Sequence, residues 1–445
     1  MNPVSSTTPT LPRRHSSPHL NDSSAASSNT NTSRLRPTVE GVPSAKPKEA
    51  TAHLDMAARD SKTKKLREKF LTADHRLHLA QQAQAGEVLS KLLLKQVGED
   101  ATYPLRNMML SGTTEDVAAV FEQLNVAKND LTENQLVELI NGKKNGDKDQ
   151  VHTSLALAVA VEGSENLDKI NAMANGLKAI DASESTVVKV FNADNFGVNF
   201  SPMMVAVQRG NPPAIIKCGE ALRQLKDSGQ LTDAGLVAIF SKSDACGATA
   251  LDSAMVSGPS GADGVHAVFT ALIQVGMSGA SVQQILGQSE GGVGATPMKK
   301  NTVQDGPPAL IAAYADGLVM LKDAGMLSQD SLQGQFDTVA QNAAVIGNAG
   351  AVKELGDAMR RSNLPTDFVF NQLNPTVGTT LLQFLMERSA GNDLEVAQTV
   401  CDQLIQTDAA RAQAAFESIP KFGLANEAMK TVLGNAIHAA RAAQY

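Results

Sequence analysis

Two histidines near the start of the chain raise the question of a metal site. His75 and His78 are spaced so that both imidazoles lie on one face of a predicted helix, and imidazole is the commonest side-chain metal ligand. A zinc protease of the HExxH type would also require a glutamate between the two histidines and a third ligand, and the sequence supplies neither. We therefore interpret the pair as part of a solvated helix face and predict no metal site.

The cysteines are the second group with reactive side chains. Cys218 and Cys401 lie in apolar stretches typical of a buried helix face, where a thiol stays protonated and inert. Cys246 precedes a predicted turn and should be more exposed, but the sequence places no histidine to activate it as a nucleophile. Three cysteines without CxxC spacing indicate neither a disulfide framework nor a zinc site, and they favour a reducing compartment.

A glycine-rich stretch, GQSEGGVGATPMKK, spans residues 287–300 and could be mistaken for a phosphate-binding loop. It lacks the GxxxxGK(S/T) pattern that holds nucleotide phosphates, so a connecting loop is favoured. The net charge of −7 and the pI of about 5.7 give no electrostatic attraction to nucleic acid. No apolar stretch approaches the ~20 residues of a membrane-spanning helix. We predict no catalytic residue, no cofactor, no small-molecule ligand, no nucleic-acid partner and no membrane span.

The elements that would position any functional residue follow a period of about 48 residues, which is typical of a repeat array. Segments of the form Leu/Met, two residues, a small residue and a later glycine occur six times. They begin at Leu105, Leu155, Met203, Leu251, Met298 and Leu382. A weaker copy, AQNAAVIG, ends at Gly347. A composition rich in Ala, Leu and Gln, with no Trp, favours helices over strands.

The end of each unit carries the signals for a helix stop and a new helix start. Gly229 and Gly325 occupy positions where a helix needs a left-handed residue after its last turn. Thr232 and Ser328 follow at positions where the next helix needs an N-cap. We therefore expect three helices per unit: a first helix A, a longer helix B that begins at a Pro-Pro pair in two units, and a short helix C.

Helix C is further indicated by capping-box spacing and by an apolar pair four residues apart. Thr132 and Ser281 each precede a glutamine by three residues, as in a capping box. The apolar pairs, which one helical face presents together, are Leu136/Ile140, Val187/Phe191, Leu236/Phe240, Val282/Leu286, Leu332/Phe336, Val369/Leu373 and Ala412/Phe416. The stretch LPTDFVFNQL, which contains the sixth pair, also has a faint likeness to the start of an F-box, but helix C is favoured there.

The segment GATALDSAMVSG resembles the ankyrin repeat, whose helix A pattern is Gly-x-Thr-Pro-Leu-x-x-Ala-x-x-x-Gly. It reproduces Gly247, Thr249, Leu251, Ala254 and Gly258 at the family's spacing. The resemblance implies that Thr249 caps helix A, that Leu251 and Ala254 pack in the core, and that Gly258 ends the helix.

A second copy, GATPM, reproduces Gly294, Thr296 and Pro297, with Met298 in the place of the leucine. The units exceed the usual 33 residues by about fifteen, and the family's histidine is replaced by Asp252 in the first copy. The expected fold class is all-α: an α-solenoid of elongated ankyrin-like three-helix repeats of about 47–50 residues. A three-helix solenoid of the HEAT/armadillo kind is the alternative.

The domain plan has four parts. Residues 1–60 are rich in Ser, Thr, Pro and Asn and contain few apolar residues, so they form a predicted disordered tail. Residues 61–99 are predicted N-terminal capping helices, 100–423 the repeats and 424–445 a C-terminal capping helix. The tail resembles the secretion signals of bacterial type III effectors, since its first acidic residue is Asp22; a generic flexible tail is the alternative.

The function that this plan implies is a non-enzymatic scaffold that binds a protein partner, expected to be a host protein, along the concave wall formed by helix A and the preceding loops. Type III secretion would deliver it into a host cell. The alternative is an effector enzyme with an unrecognised site that modifies a host protein. The polar residues predicted to be exposed on the wall and to bind the partner are Arg106, Asn107, Gln208, Arg209, Asp252, Lys299, Lys300 and Gln383.

Overall fold

A computed structural model describes residues 85–94, 103–143, 152–257, 261–287, 307–365, 372–374, 379–387, 393–419, 424 and 426–444. The predicted tail 1–60, the His75/His78 pair, the 287–300 loop beyond Gly287 and the candidates Lys299 and Lys300 lie outside these residues. So do Met298 and Gly258 of the ankyrin-like segments.

The regular structure of the described residues is α-helical except for one 3-10 turn at Lys128–Asp130 and one two-stranded antiparallel hairpin. All-α is therefore the correct fold class. The N-terminal helices are α1 (Ala85–Leu94), α2 (Pro104–Ser111), α3 (Thr114–Ala127), α4 (Glu133–Asn141), α5 (Ser154–Ala160), α6 (Ser164–Ala179) and α7 (Glu184–Phe191). The middle of the chain contains α8 (Pro202–Gln208), α9 (Pro212–Asp227), α10 (Asp233–Phe240), α11 (Ala250–Met255), α12 (Gly261–Val275) and α13 (Gly279–Gly287). The remaining elements are α14 (Pro308–Asp323), α15 (Gln329–Ile346), α16 (Ala349–Arg361), β1 (Gln372–Asn374), β2 (Thr379–Thr380), α17 (Leu381–Glu387), α18 (Asp393–Thr407), α19 (Ala409–Ser418) and α20 (Glu427–Ala442).

Helices α2 to α13 form four consecutive triplets of a short first helix, a long second helix and a short third helix. The first helices begin at Pro104, Ser154, Pro202 and Ala250. Their predicted core positions, Leu105, Leu155, Met203 and Leu251, are all at most 5% exposed. The predicted helix A is therefore present in each of these triplets, and Leu382 of α17 is buried in the same way.

Helices at the same position of successive triplets pack against one another. The first helices α2, α5, α8 and α11 are in consecutive contact, and so are the third helices α4, α7, α10 and α13. The long helices α3, α6, α9 and α12 continue the same way through α14, α16, α18 and α20. One continuous apolar core runs through all these helices, since no triplet can bury its apolar faces alone.

The predicted helix ends are confirmed at most positions. Gly229 and Gly325 have φ angles of 80° and 75°, in the left-handed region that favours glycine. The Thr232 side chain accepts a hydrogen bond from the Gly235 amide, and Thr132 forms a complete capping box with Gln135. Ser328 caps α15 in the same manner.

The cap implied by the ankyrin resemblance is also present on α11. The Thr249 hydroxyl accepts from the Asp252 amide, while the Asp252 carboxylate accepts from the Thr249 amide at 2.8 Å. Leu251 and Ala254 are buried, as the resemblance implies. The interior position of Asp252 follows from this capping box.

Three expectations were wrong. The cap at the start of α13 is Ser278, whose hydroxyl accepts from the Ser281 amide at 3.3 Å, so Ser281 is not the N-cap. The segment AQNAAVIG does not begin a new first helix, because α15 runs without a break to Ile346 and stops at Gly347. The sixth predicted helix C is wrong at its end, since Leu373 lies in β1, while residues 366–371 lie outside the described ones.

Two close approaches between long helices depend on glycine. A Cβ on Gly317 of α14 would lie 2.1 Å from Phe269 Cδ2 of α12, and a Cβ on Gly176 of α6 would lie 2.1 Å from Phe121 Cγ of α3. Both phenylalanine rings are fully buried. Gly317 and Gly176 are therefore the positions where a bare backbone admits the aromatic ring of the preceding long helix.

Candidate partner-binding surface

The connection between α7 and α8 is a tight turn that organises the surface. Asn195 and Phe200 form an isolated antiparallel bridge. Three of the four residues between them have positive φ angles: Phe196 at 64°, Gly197 at 68° and Asn199 at 66°. A phenylalanine in the left-handed region is unusual and costs about 1–3 kcal/mol, and such residues cluster at functional sites. The turn is therefore a candidate functional site.

Hydrogen bonds join this turn to the triplets on both sides. The Asn195 side-chain oxygen accepts from the Thr153 amide at 2.7 Å, which fixes the start of α5. The Ala245 amide donates to the Val198 carbonyl at 3.1 Å, which fixes the next connecting loop. The turn thus holds the loops of adjacent triplets side by side.

A cationic surface surrounds the turn. We define it as Arg106 and Arg209, whose charges act on His152, together with Lys143 and Lys242, which hydrogen-bond to the turn. Lys143 Nζ donates to the Asp194 carbonyl at 3.0 Å, and Lys242 Nζ donates to the Asn199 side chain. These bonds attach one lysine from each neighbouring triplet to the turn.

His152 is the centre of this surface. Its ring packs edge to face on Phe196, with the ring centroids 4.3 Å apart. Burial lowers the pKa of His152 to about 4, and the positive charges of Arg209 and Arg106 act in the same direction. His152 is therefore neutral at pH 7, so the positive charge of the surface resides on its arginines and lysines.

The predicted partner-binding residues on the first helices differ in their exposure to solvent. Gln208 is exposed and Arg209 is half-buried at the end of α8, and Arg106 is half-buried. Asn107 and Asp252 were predicted to be exposed, and this was wrong, since they are 7% and 5% exposed.

The physical reason is that a first helix of six to eight residues is packed between a neighbouring first helix and its own second helix. Little of its circumference remains for solvent, and Asp252 is further drawn in by its cap on Thr249. Gln383 of α17 is half-buried, and its amide donates to Glu387 at 2.8 Å. It lies outside the four triplets and does not join the cationic surface.

Sequence reasoning missed His152, Phe196, Lys143 and Lys242. One signal was available for His152, which directly precedes the N-cap of α5, as Phe200 precedes the N-cap of α8 48 residues later. An alignment of the repeats by their N-caps would have placed His152 at the position that Phe200 occupies in the next triplet, and so marked it as a polar residue at an apolar position. The role of Phe196 depends on its left-handed backbone, a conformation that the residue type does not favour and the sequence therefore does not indicate.

The three cysteines differ in their exposure. Cys218 and Cys401 are buried and Cys246 is exposed, as predicted. Burial raises the pKa of the Cys218 thiol to about 12, and burial followed by the charge of Asp402 raises that of Cys401. Within the described part of the chain, no group of three His, Cys, Asp or Glu side chains is arranged to hold a metal ion.

None of the helices in the described ranges combines the length and apolar character needed to cross a membrane. The chain matches no protein-family model, and no curated protein shows significant similarity to it. The cationic surface must therefore be interpreted from its own geometry. Guanidinium and ammonium groups on an open surface bind anionic groups by charge-assisted hydrogen bonds.

Proposed function

We propose that the chain is a protein-interaction scaffold that binds a partner protein through the cationic surface and the exposed parts of the first helices. The observation that carries the proposal is that side chains from three consecutive triplets converge there: Arg106 from the first, His152 from the second and Arg209 from the third. A surface assembled from adjacent triplets suits an extended partner better than a small molecule.

We further propose that the triplets are divergent, elongated ankyrin-like repeats that stack as an α-solenoid. Side chains of one triplet repeatedly satisfy backbone groups of the previous one. Lys169 Nζ donates to the Met109 carbonyl at 3.2 Å, and Asn211 Nδ2 donates to the Val159 carbonyl at 2.9 Å. Both carbonyls lie near the ends of first helices, where helical partners run out. Connections restricted to neighbours are what a repeat array requires.

The third helices support the same stacking. The Glu184 carboxylate accepts from the Thr232 amide at 2.8 Å, and the Asp233 carboxylate accepts from the Ser278 amide at 2.8 Å. In each case the first residue of the third helix in one triplet accepts a hydrogen bond from the residue that precedes the third helix of the following triplet. An HEAT/armadillo-like array would place similar bonds, but the capped GATALDSA segment favours the ankyrin-like form.

Delivery by a type III apparatus into a host cell is the remaining part of the proposal, and it rests on the composition of residues 1–60 alone. A reporter fused to these residues should leave the bacterium, and it should be retained in a strain that lacks the apparatus. The unfused reporter is the control. Equal retention of both reporters in the competent strain removes the delivery proposal and leaves the scaffold untouched.

Binding is tested by cross-linking the full chain in host-cell lysate and comparing wild type with Arg209→Glu. The matched control is Lys178→Glu, which reverses a charge of the same sign at an exposed position near the end of α6. A partner of the cationic surface is retained by wild type and Lys178→Glu and lost by Arg209→Glu, while all three proteins unfold at the same temperature. Equal recovery of every protein by all three baits would refute the surface.

A further inference from the structure

The Arg209 side chain has a feature that points to a specific partner chemistry. It is half-buried, and it makes no hydrogen bond or ion pair with any residue that the structure describes. Partial removal of a guanidinium from water is costly unless an acceptor replaces the water. Gln208, which precedes it, is exposed and offers a neutral amide beside the charge. The guanidinium thus presents its donors where an external acceptor can reach them.

The carboxylates on the neighbouring loops are engaged in holding the turns. Asp194 Oδ1 accepts from the Asn199 amide at 2.6 Å. Asp244 Oδ1 accepts from the Cys246 and Ala248 amides at 2.8 Å and 2.9 Å. These oxygens are oriented toward the backbone of their own turns. Among the cations, Lys143 and Lys242 also donate to the turn, so the Arg209 guanidinium is the charged group of the surface with the most hydrogen-bonding capacity left for a partner.

The cations come from different elements of the fold. Lys143 and Lys242 hydrogen-bond to Asp194 and Asn199 of the α7–α8 turn, Arg106 lies in α2 and Arg209 follows α8, and α5 packs between α2 and α8. Positive charges from the first and third triplets match a chain of anionic groups that extends from one to the other. The His152–Phe196 pair between them is an uncharged, largely apolar wall at pH 7.

We propose, on the basis of the function proposed above, that the cationic surface binds an extended acidic segment of the partner protein. Aspartate or glutamate carboxylates of that segment accept from Arg209, which can bind a carboxylate through two parallel hydrogen bonds. Further carboxylates of the segment interact with Arg106, Lys143 and Lys242, and its backbone lies against the His152–Phe196 wall. Charge complementarity selects this partner, since the chain as a whole carries −7 and repels other acidic surfaces.

The test uses the full chain and a fluorescent peptide of about ten residues that alternates Asp/Glu with Gly/Ser, with binding measured by fluorescence anisotropy. The control peptide carries Asn/Gln at the acidic positions. The acidic peptide should bind at least about tenfold more tightly than the amide peptide, and its affinity should fall steeply as NaCl rises from about 50 to about 300 mM. Arg209→Gln should weaken the acidic peptide at least about fivefold, Arg209→Lys less, and Lys178→Gln not at all.

Three outcomes would overturn the inference. The first is equal affinity for the acidic and amide peptides, and the second is an unchanged affinity of Arg209→Gln. The third is displacement of the peptide by inorganic phosphate at the same total charge, which would make the surface a general anion site and not a polypeptide site.

The proposed function can fail separately. If a cross-linked partner depends on Arg209 but is not displaced by the acidic peptide, the scaffold stands and its partner is not acidic there. If the peptide binds as expected and no partner depends on Arg209, the acidic specificity stands and the scaffold proposal fails.

Discussion

Replacement of Gly317 by alanine tests whether the long helices pack as closely as the structure describes. The added Cβ would lie 2.1 Å from Phe269 Cδ2 and 2.5 Å from its Cγ and Cε2. An ordinary carbon–carbon contact is about 3.5 Å or more, so the ring or the helix would have to move by more than about 1 Å. Rotation of the ring about its own axis gives no relief, because Cγ lies on that axis.

The surroundings of Phe269 leave it little room to move. The ring is fully buried and packs edge to face on Tyr314, at a centroid distance of 5.4 Å, and Tyr314 is one turn before Gly317 on the same helix. Overpacking of this kind costs about 1–3 kcal/mol. Since more than one ring carbon is too close, we take the upper part of that range, about 3 kcal/mol. Alanine in a helix regains about 1 kcal/mol over glycine, which leaves a net loss of about 2 kcal/mol.

The matched control is Gly434→Ala in α20, where an added Cβ would have no heavy atom within 4 Å. It should gain up to about 1 kcal/mol from helix propensity alone. Urea unfolding followed by circular dichroism should therefore separate the two variants by about 3 kcal/mol. The double variant Gly317→Ala/Phe269→Leu should recover at least about 1 kcal/mol relative to the sum of the two single changes. A Gly317→Ala variant as stable as Gly434→Ala would refute the close approach.

Three further predictions use the same chain. Leu251→Ala should lower the free energy of unfolding by about 2–5 kcal/mol in urea titrations, because the side chain is 5% exposed and its loss leaves a cavity. The Lys226 ammonium, 2.8 Å from Asp233, holds the pKa of that carboxyl below its usual value of 3.8. Asp233 therefore stabilises the fold above about pH 4 and loses this contribution as the pH falls. Asp233→Asn should accordingly show a smaller loss of stability than wild type between about pH 6 and about pH 2. Cys246 should react with a thiol reagent in the native protein, whereas Cys218 should react only after denaturation, as read by mass spectrometry.

The helices were predictable where local signals agree with burial. Leu155 and Leu251 follow an N-cap and precede a small residue one turn later, so capping and apolar spacing indicate the same short helix. The glycine that ends a helix, such as Gly229, is an equally local signal, because few residues other than glycine adopt the positive φ angle required there. Signals of this kind need only a few neighbouring residues, and all of them are visible in the sequence.

The close packing and much of the surface were not predictable in this way. Gly317 and Phe269 are 48 residues apart, and nothing near either residue indicates that they touch. Asn107 was predicted on the solvent side because it is polar, but the packing of α2 against its neighbouring helices leaves it only 7% exposed. Arg209 was predicted to be exposed and is half-buried, and its relation to His152 depends on how the α7–α8 turn folds.

The two main predictions can be combined, because the affected sites are separated by intermediate helices. Gly317 lies in α14, which contacts α12, α15 and α16, whereas Arg209 follows α8, which contacts α5, α9 and α11. Coupling between them would have to pass through intermediate helices such as α12. If stacking transmits strain only between neighbours, Gly317→Ala should lower the urea midpoint and leave the affinity for the acidic peptide within about twofold of wild type in the absence of urea. A parallel loss of stability and affinity would mean that the triplets move as one body, and the cationic surface would then depend on packing far beyond the three triplets that form it.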